Sequence, residues 1–426
     1  MTDIIIHPGT VRGELKAPAS KSVVQRALAA ALLNKGKCSI KGYSPCDDAE
    51  AAISIIETLG ATVETKEGVL TVTSTGPIKT KAPIKLNCGE SGLSSRLFAP
   101  VSMLFCNDAT LTGRGSLLKR PFAPLMRKAF EQTKLSYSDN KGMMPVHLQG
   151  VLQGGNIELD GGGGSQFLSG LLMTLPLLSQ DSQILVHNLQ SKPYIDLTIE
   201  IAAQFGVEIQ NSDYELFNIR GKQRYSRESI DVEGDWSGAS CLLVAGAIAG
   251  NITVNNLSLD SRQADKQLIE ALRLAGANVL AGKDFVKVSG GELTAFEFDA
   301  RNCPDLFPAL VALAASCSGT SSIRGVGRLV SKESDRASTL QSEYAGLGLS
   351  ISTKDDRMLI SGGKIKGGEV RSHNDHRIAM SLAVAALRAD APVKINGAEC
   401  VNKSYPGFWD DFLGAKISGT SSQDFL

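Results

Sequence analysis

Residues 52–72 read Ala52-Ile53-Ser54-Ile55-Ile56-Glu57-Thr58-Leu59-Gly60-Ala61-Thr62-Val63-Glu64-Thr65-Lys66-Glu67-Gly68-Val69-Leu70-Thr71-Val72. Ala52, Ile55, Ile56 and Leu59 recur at helical spacing on one face, and Gly60 follows as the helix stop. Val63 and the run Val69-Leu70-Thr71-Val72 then flank Glu67-Gly68, a pair suited to a tight hairpin. The same plan returns where Phe205-Gly206-Val207-Glu208-Ile209 precedes Leu216-Phe217-Asn218-Ile219. It returns again where Ala275-Gly276-Ala277-Asn278-Val279 precedes Phe285-Val286-Lys287-Val288, and where Leu347-Gly348-Leu349-Ser350-Ile351 precedes Met358-Leu359-Ile360. A weaker copy runs from Leu135 to Leu148. Gly206, Gly276 and Gly348 step by about 70 residues, which is the length of a βαβαββ unit and not of a solenoid repeat.

About six such units fit the 426 residues. Helices alternate with short strands, and no Pro- or Ser-rich linker breaks the middle, so the chain is read as an α/β protein of two large domains meeting at a tight hinge. The tail Ser418-Gly419-Thr420-Ser421-Ser422 is polar and expected to be loose.

Composition narrows the function. With 42% hydrophobic and 21% charged residues and no apolar stretch near the ~20 residues a membrane span requires, the expectation is a protein with no membrane partner. The opening Met1-Thr2-Asp3-Ile4-Ile5-Ile6-His7-Pro8 does not read as a signal peptide, which points to a cytoplasmic location. The eight cysteines form no C-x-x-C pair and no metal-ligand spacing, so no metal is expected. Zero net charge without a basic stripe excludes the footprint of a nucleic-acid binder, so any bound anion must be small and held locally.

Candidate anion sites recur at helix entries. Pro18-Ala19-Ser20-Lys21-Ser22-Val23-Val24-Gln25-Arg26 brings free backbone N–H groups, hydroxyls and two cations to one helix start. Cys88-Gly89-Glu90-Ser91-Gly92-Leu93-Ser94-Ser95-Arg96 repeats the pattern, and Lys119-Arg120-Pro121 is a cationic turn. Gly161-Gly162-Gly163-Gly164-Ser165-Gln166 allows backbone amides to approach a ligand closely, but it lacks P-loop spacing. Ser191-Lys192-Pro193-Tyr194-Ile195-Asp196 opens another helix, as do Lys332-Glu333-Ser334-Asp335-Arg336 and Asn374-Asp375-His376-Arg377, while Asp305 and Lys403 sit on loops. Each alone is as well explained by capping and helix-dipole complementation; their recurrence in a neutral protein is not.

Taken in order, these motifs closely resemble the EPSP synthase family from about residue 4 to about residue 417. The resemblance implies a two-domain inside-out α/β barrel-like fold, each domain built from three βαβαββ repeats, with the active site in the interdomain cleft. Residues 21–230 would form an upper domain binding mainly shikimate 3-phosphate. Residues 1–20 with 231–417 would form a lower domain contributing catalytic acids and phosphoenolpyruvate contacts, and 418–426 a flexible tail. The implied reaction moves the enolpyruvyl group of phosphoenolpyruvate to the 5-hydroxyl of shikimate 3-phosphate, without a cofactor and in a monomer.

The family assigns shikimate 3-phosphate to Lys21, Ser22, Arg26, Ser165, Gln166, Ser191, Tyr194, Asp305 and Lys332. It assigns phosphoenolpyruvate to Lys21, Gly92, Arg120, Gln166, Arg336, Arg377 and Lys403, and proton transfer to Asp305 and Glu333 with Lys21 and His376 as helpers. Lys21 and Glu333 are expected on exposed helix entries. Four positions depart from the pattern: Leu93 and Leu97 replace Thr and Pro, Gly164 replaces a Ser, and Val330 replaces an Arg. The bulk of Leu93, and the φ freed at the start of the Gly92 helix by loss of the Pro, are expected to turn Gly92 slightly toward the pocket and to weaken inhibition by glyphosate. The related transferase acting on UDP-N-acetylglucosamine carries a Cys in the loop before its Arg-Pro, which Gly113-Arg114-Gly115-Ser116-Leu117-Leu118-Lys119-Arg120-Pro121 lacks. A non-catalytic binding member would lack Asp305, Glu333 or Lys21, all of which are present.

Overall fold

The computed structural model describes residues 2–122 and 126–417, so the tail expected to be loose lies outside the described residues. The chain divides into two units, residues 19–232 and residues 1–18 with 233–426. Both follow one plan. In three of the sheets a parallel strand pair is joined through a helix and an antiparallel hairpin extends the sheet beyond it, as where Ile84–Asn87 and Asp108–Thr112 flank Gly92–Ser102 and Leu135–Asn140 pairs with Met143–Gly150. Parallel neighbours need such a crossover, so each sheet carries helices by construction.

In the unit of residues 19–232 this gives three four-stranded sheets. The last strand, Ser229–Asp231, pairs in parallel with Lys35–Lys41, returning the end of the unit to its beginning. The other unit has sheets of five, four and three strands. The imbalance arises because Lys416–Ile417 pairs with Thr10–Lys16 in the five-stranded sheet, while Asp3–Ile6 completes the three-stranded one against Val393–Asn396.

Each unit also has inner and outer helices. Lys21–Leu33, Gly92–Ser102 and Gln166–Thr174 are almost wholly buried, and in the second unit so are Trp236–Ala249, Phe307–Ala315 and His376–Ala386. These sequences are rich in Ala, Leu and Ser and have no charged face, which suits helices enclosed on every side. Asp47–Thr58 instead buries Asp48, Ala52, Ile55 and Ile56 and leaves Asp47 and Glu50 exposed at its start.

The glycine stops behave as read. Gly60, Gly206, Gly276 and Gly348 stand at φ 99°, 83°, 90° and 80°, and Glu67 and Gly68 are both at positive φ in the hairpin between Thr62–Lys66 and Val69–Thr75. The weak copy has a cause: Lys134, at φ 63°, fills the glycine's place before Leu135–Asn140. One strand differs from the reading. Residues 207–209 do not pair, and the strand is Gln210–Ser212. Gln223 takes the partner's role, accepting from Glu208 N at 2.8 Å and donating to Glu208 O at 2.9 Å.

Close packing of inner helices rests on one glycine. A Cβ at Gly170 would lie 2.6 Å from Leu97 O and 2.7 Å from Pro100 Cγ, whereas one at the exposed helix end Gly346 would meet nothing within 4 Å. The same substitution therefore has opposite effects. Gly170→Ala should lower stability by about 1–3 kcal/mol through overpacking, and Gly346→Ala should raise it by about 0.5–1 kcal/mol through helix propensity. Urea midpoints of the two variants against wild type check both signs.

Candidate functional site

In the unit of residues 19–232 each inner helix begins just after a serine: Ser20, Ser91 and Ser165. An enclosed helix can satisfy its leading N–H groups only at its entry, and a serine does so without adding charge. Ser91 caps its own helix, accepting from Ser94 N at 3.2 Å, while Ser20 and Ser165 make no such side-chain bond.

Lys21 opens the first inner helix and pairs with Asp48 Oδ2 at 2.9 Å. Its side chain is only 15% exposed, so the expectation of an exposed entry is corrected here: the second helix folds its acidic first turn over the lysine. Arg26 is sealed. Its Nε donates to Thr198 Oγ1 at 2.8 Å, Nη1 to Ser22 O at 3.0 Å, and Nη2 to Ser169 Oγ at 3.2 Å and Tyr194 O at 3.3 Å. All four acceptors are neutral, and burial pushes its pKa down to about 10, with Tyr194 opposing. A guanidinium held by dipoles alone keeps its field for an incoming anion. Its Cζ also lies 5.9 Å from the ring of Tyr194, in the helix that follows the buried Ser191.

Gly92 is required by its neighbour. A Cβ there would be 2.8–2.9 Å from the Arg120 guanidinium, so glycine alone lets that plane rest on the helix entry. Arg96 fastens the surroundings, donating to Gly92 O at 3.0 Å, to Gln166 Oε1 at 3.3 Å and to Pro121 O at 2.6 Å. Glu90 Oε2 accepts from Ser116 N at 3.0 Å and Ser116 Oγ at 2.8 Å, clasping the loop that leads to Arg120. Leu97 lies in the second turn of its helix and is fully buried. The absent Pro therefore frees no φ at the helix start, and that part of the expectation is withdrawn.

In the other unit the equivalent entries carry aspartates. Asp235, Asp305 and Asp375 are 70 residues apart. Asp235 caps Ser237 N and Gly238 N, both at 2.9 Å, and Asp375 accepts from Arg377 N at 3.1 Å. Asp305 stands in the turn Pro304–Leu306 and faces cations instead: Lys332 Nζ at 3.1 Å, Arg336 Nη1 at 2.8 Å and Arg377 Nε at 3.9 Å.

Arg336 is the hub. Beyond Asp305 it donates to Glu333 Oε2 at 2.7 Å and to both Asp375 oxygens at 2.8 and 3.2 Å. Four of its five N–H groups are thus committed to three carboxylates. Glu333 also lies 3.7 Å from Lys403 Nζ, and at 10% exposure its side chain is enclosed, not exposed as expected. His376 is fully buried, with Nδ1 3.9 Å from Asp375 Oδ1.

These contacts set the protonation states. Burial works to raise the pKa of Asp305, but Lys332, Arg377 and Arg336 outweigh it and hold the carboxyl well below the usual carboxylate range. Burial lowers the Lys332 ammonium against the pull of Asp305. Burial also acts to lower Arg336, and there Asp375, Glu333 and Asp305 prevail and raise it. The cluster thus holds carboxylates that can exchange protons beside cations that can bind anions.

Each expected residue is accounted for: Lys21, Ser22, Arg26, Gly92, Arg120, Ser165, Gln166, Ser191 and Tyr194 fall at helix entries or adjoining turns of one unit. Asp305, Lys332, Glu333, Arg336, His376, Arg377 and Lys403 belong to the other. Sequence reasoning missed Asp48, Asp235 and Asp375 as members of these networks. For the last two a signal was present, since they share the 70-residue period of Asp305.

The chain is similar over nearly its whole length to known proteins. The family profile of EPSP synthase (3-phosphoshikimate 1-carboxyvinyltransferase) matches residues 5–412. A 3-phosphoshikimate 1-carboxyvinyltransferase of Clostridium perfringens (strain SM101 / Type A) is 39% identical over 415 residues, covering 97% of this chain and 98% of that protein. Its counterpart in Clostridium kluyveri is 37% identical over 421 residues, covering 98% of each. The solved structure of EPSP synthase from Acinetobacter baumannii superposes with a TM-score of 0.81 at 26% identity, covering 98% of this chain and 99% of that one. With its repeats, its two units and its helix-entry clusters, the chain belongs to the EPSP synthase family.

Proposed function

We propose that the chain transfers the enolpyruvyl group of phosphoenolpyruvate to the 5-hydroxyl of shikimate 3-phosphate and releases phosphate. The observation that carries this reading is the Asp305, Glu333 and Arg336 cluster, where two carboxylates suited to proton transfer lie beside cations suited to anionic substrates. We place the activity in the cytoplasm and in a single chain; the eight cysteines, all buried thiols, fit a reducing compartment.

In this reading Lys21, Gly92, Arg120, Gln166, Arg336, Arg377 and Lys403 bind phosphoenolpyruvate. Ser22, Arg26, Ser165, Gln166, Ser191, Tyr194 and Lys332 bind shikimate 3-phosphate. The 5-oxygen attacks C2 of phosphoenolpyruvate, its proton passing to Asp305, while Glu333 delivers a proton to C3. The tetrahedral adduct then loses a C3 proton as the C2–O bond to phosphate breaks, which restores the double bond. Lys21 and His376 assist by stabilising charge. Asp305 is too weak a base while three cations face it. Each anion that binds those cations cancels part of their field, so substrate binding itself raises the basicity of Asp305.

A phosphate-release assay with both substrates tests the activity, and release should require both. Charge-removing replacements that keep side-chain size, Lys21→Met and Glu333→Gln, should each lower kcat by roughly 10²-fold or more. Activity close to wild type in either variant removes that residue from the mechanism.

Asp305 also makes a prediction about acid. An Asp whose folded pKa lies below its unfolded value of about 3.9 stabilises the fold above that pH and loses this contribution as pH falls toward the folded value. Asp305→Asn should therefore be less stable than wild type at pH 7, with the gap closing below a pH of about 4. Urea unfolding of both proteins across that range gives the comparison; a gap that stays constant would show that Asp305 is not held ionised by its cations.

A further inference from the structure

One buried polar group beside the Gly92 entry has no part in the reading above. Gln25 lies four residues after Lys21 on the first inner helix, so the two share a face. It is wholly buried, and its Oε1 accepts from Ser94 Oγ at 3.2 Å and from Ser91 Oγ at 3.4 Å. Its Nε2 is buried with no hydrogen-bond partner among the described residues. Turning the amide over changes nothing in the count: one end faces both hydroxyls and the other faces none.

For folding alone this is a poor choice of residue. A buried donor without a partner is destabilising, and an apolar side chain of the same shape would avoid that penalty. What the amide adds is orientation. With both serine hydroxyl protons drawn to Gln25, the Ser91 oxygen keeps a lone pair for Ser94 N and fixes the first turn of the Gly92 helix. Without that anchor, Ser94 is free to bond back to its own helix backbone. The same first turn carries Gly92, on which the Arg120 guanidinium rests.

We propose that Gln25 is a positioning residue for the phosphoenolpyruvate subsite, acting through Ser91 and Ser94 on the Gly92–Arg120 contact. The inference rests on the function proposed above. It is tested by steady-state kinetics and thermal melting of Gln25→Leu, Ser94→Ala and the double variant, with phosphoenolpyruvate and shikimate 3-phosphate varied separately. Gln25→Leu should raise KM for phosphoenolpyruvate by about tenfold, leave KM for shikimate 3-phosphate unchanged, and melt no lower than wild type. The double variant should be no worse than the more affected single one, because both act on the same turn. An unchanged KM for phosphoenolpyruvate in active Gln25→Leu overturns the inference alone, as does additivity of the two changes. A lower melting temperature with both KM values rising together makes Gln25 a packing residue and also overturns it. A wild type that releases no phosphate from the two substrates overturns the function and the inference with it.

Discussion

An inner helix enclosed by apolar neighbours along its length can satisfy its leading N–H groups only where the chain enters it. Each unit packs three such helices together, so their entries become the places where polar residues can gather. The two units meet this constraint differently. One places serines there, leaving the helix dipoles uncompensated and the nearby Arg26 balanced only by neutral acceptors. The other places aspartates there, which oppose the dipole and hold Arg336 and Arg377. A common fold plan thus produces one set of helix entries opened by serines and one opened by aspartates.

The Arg336 cluster depends on the order of its charges. Arg336 is fully buried, and a buried charge is tolerated only when paired and hydrogen-bonded. Three carboxylates do this, and their mutual repulsion is in turn relieved by Lys332, Arg377 and Lys403. No member can be removed without exposing another, and so substitutions that change charge but not size are the informative ones. The same coupling makes the cluster responsive, because an anion arriving at Lys332, Arg377 or Arg336 weakens the field that holds the pKa of Asp305 down.

Much of the fold was legible because the repeat is written in backbone terms. Gly60, Gly206, Gly276 and Gly348 mark a left-handed stop that few other residues adopt easily, so period and boundary appear together. Where Lys134 takes that conformation the signal fades although the structure persists. The Gln210–Ser212 strand was misplaced because its neighbour's backbone is satisfied by a side chain from Gln223, a contact with no sequence period. The site was legible as cations and hydroxyls at helix entries, but not as pairings. Lys21 with Asp48 and Gln25 with Ser91 join residues 27 and 66 positions apart, and no local pattern announces such distances. The aspartates at 235 and 375 were hidden for another reason, since as caps they looked like ordinary helix starts.

Packing and site are finally one problem. Gly170 admits Leu97 O and Pro100 Cγ at distances no Cβ would allow, bringing the second and third inner helices together, and one turn away Arg96 bridges their entries from Gly92 O to Gln166 Oε1. Gly92 does the same for Arg120. Each glycine removes a side chain where backbone or guanidinium must come close, and the loss of helix propensity, about 1 kcal/mol per residue, is accepted at the two points where closeness sets the geometry of the anion cluster. A larger residue at either place would act through distance: at Gly170 by parting the helices that carry the site, at Gly92 by lifting Arg120 from the entry while the helices stay where they are.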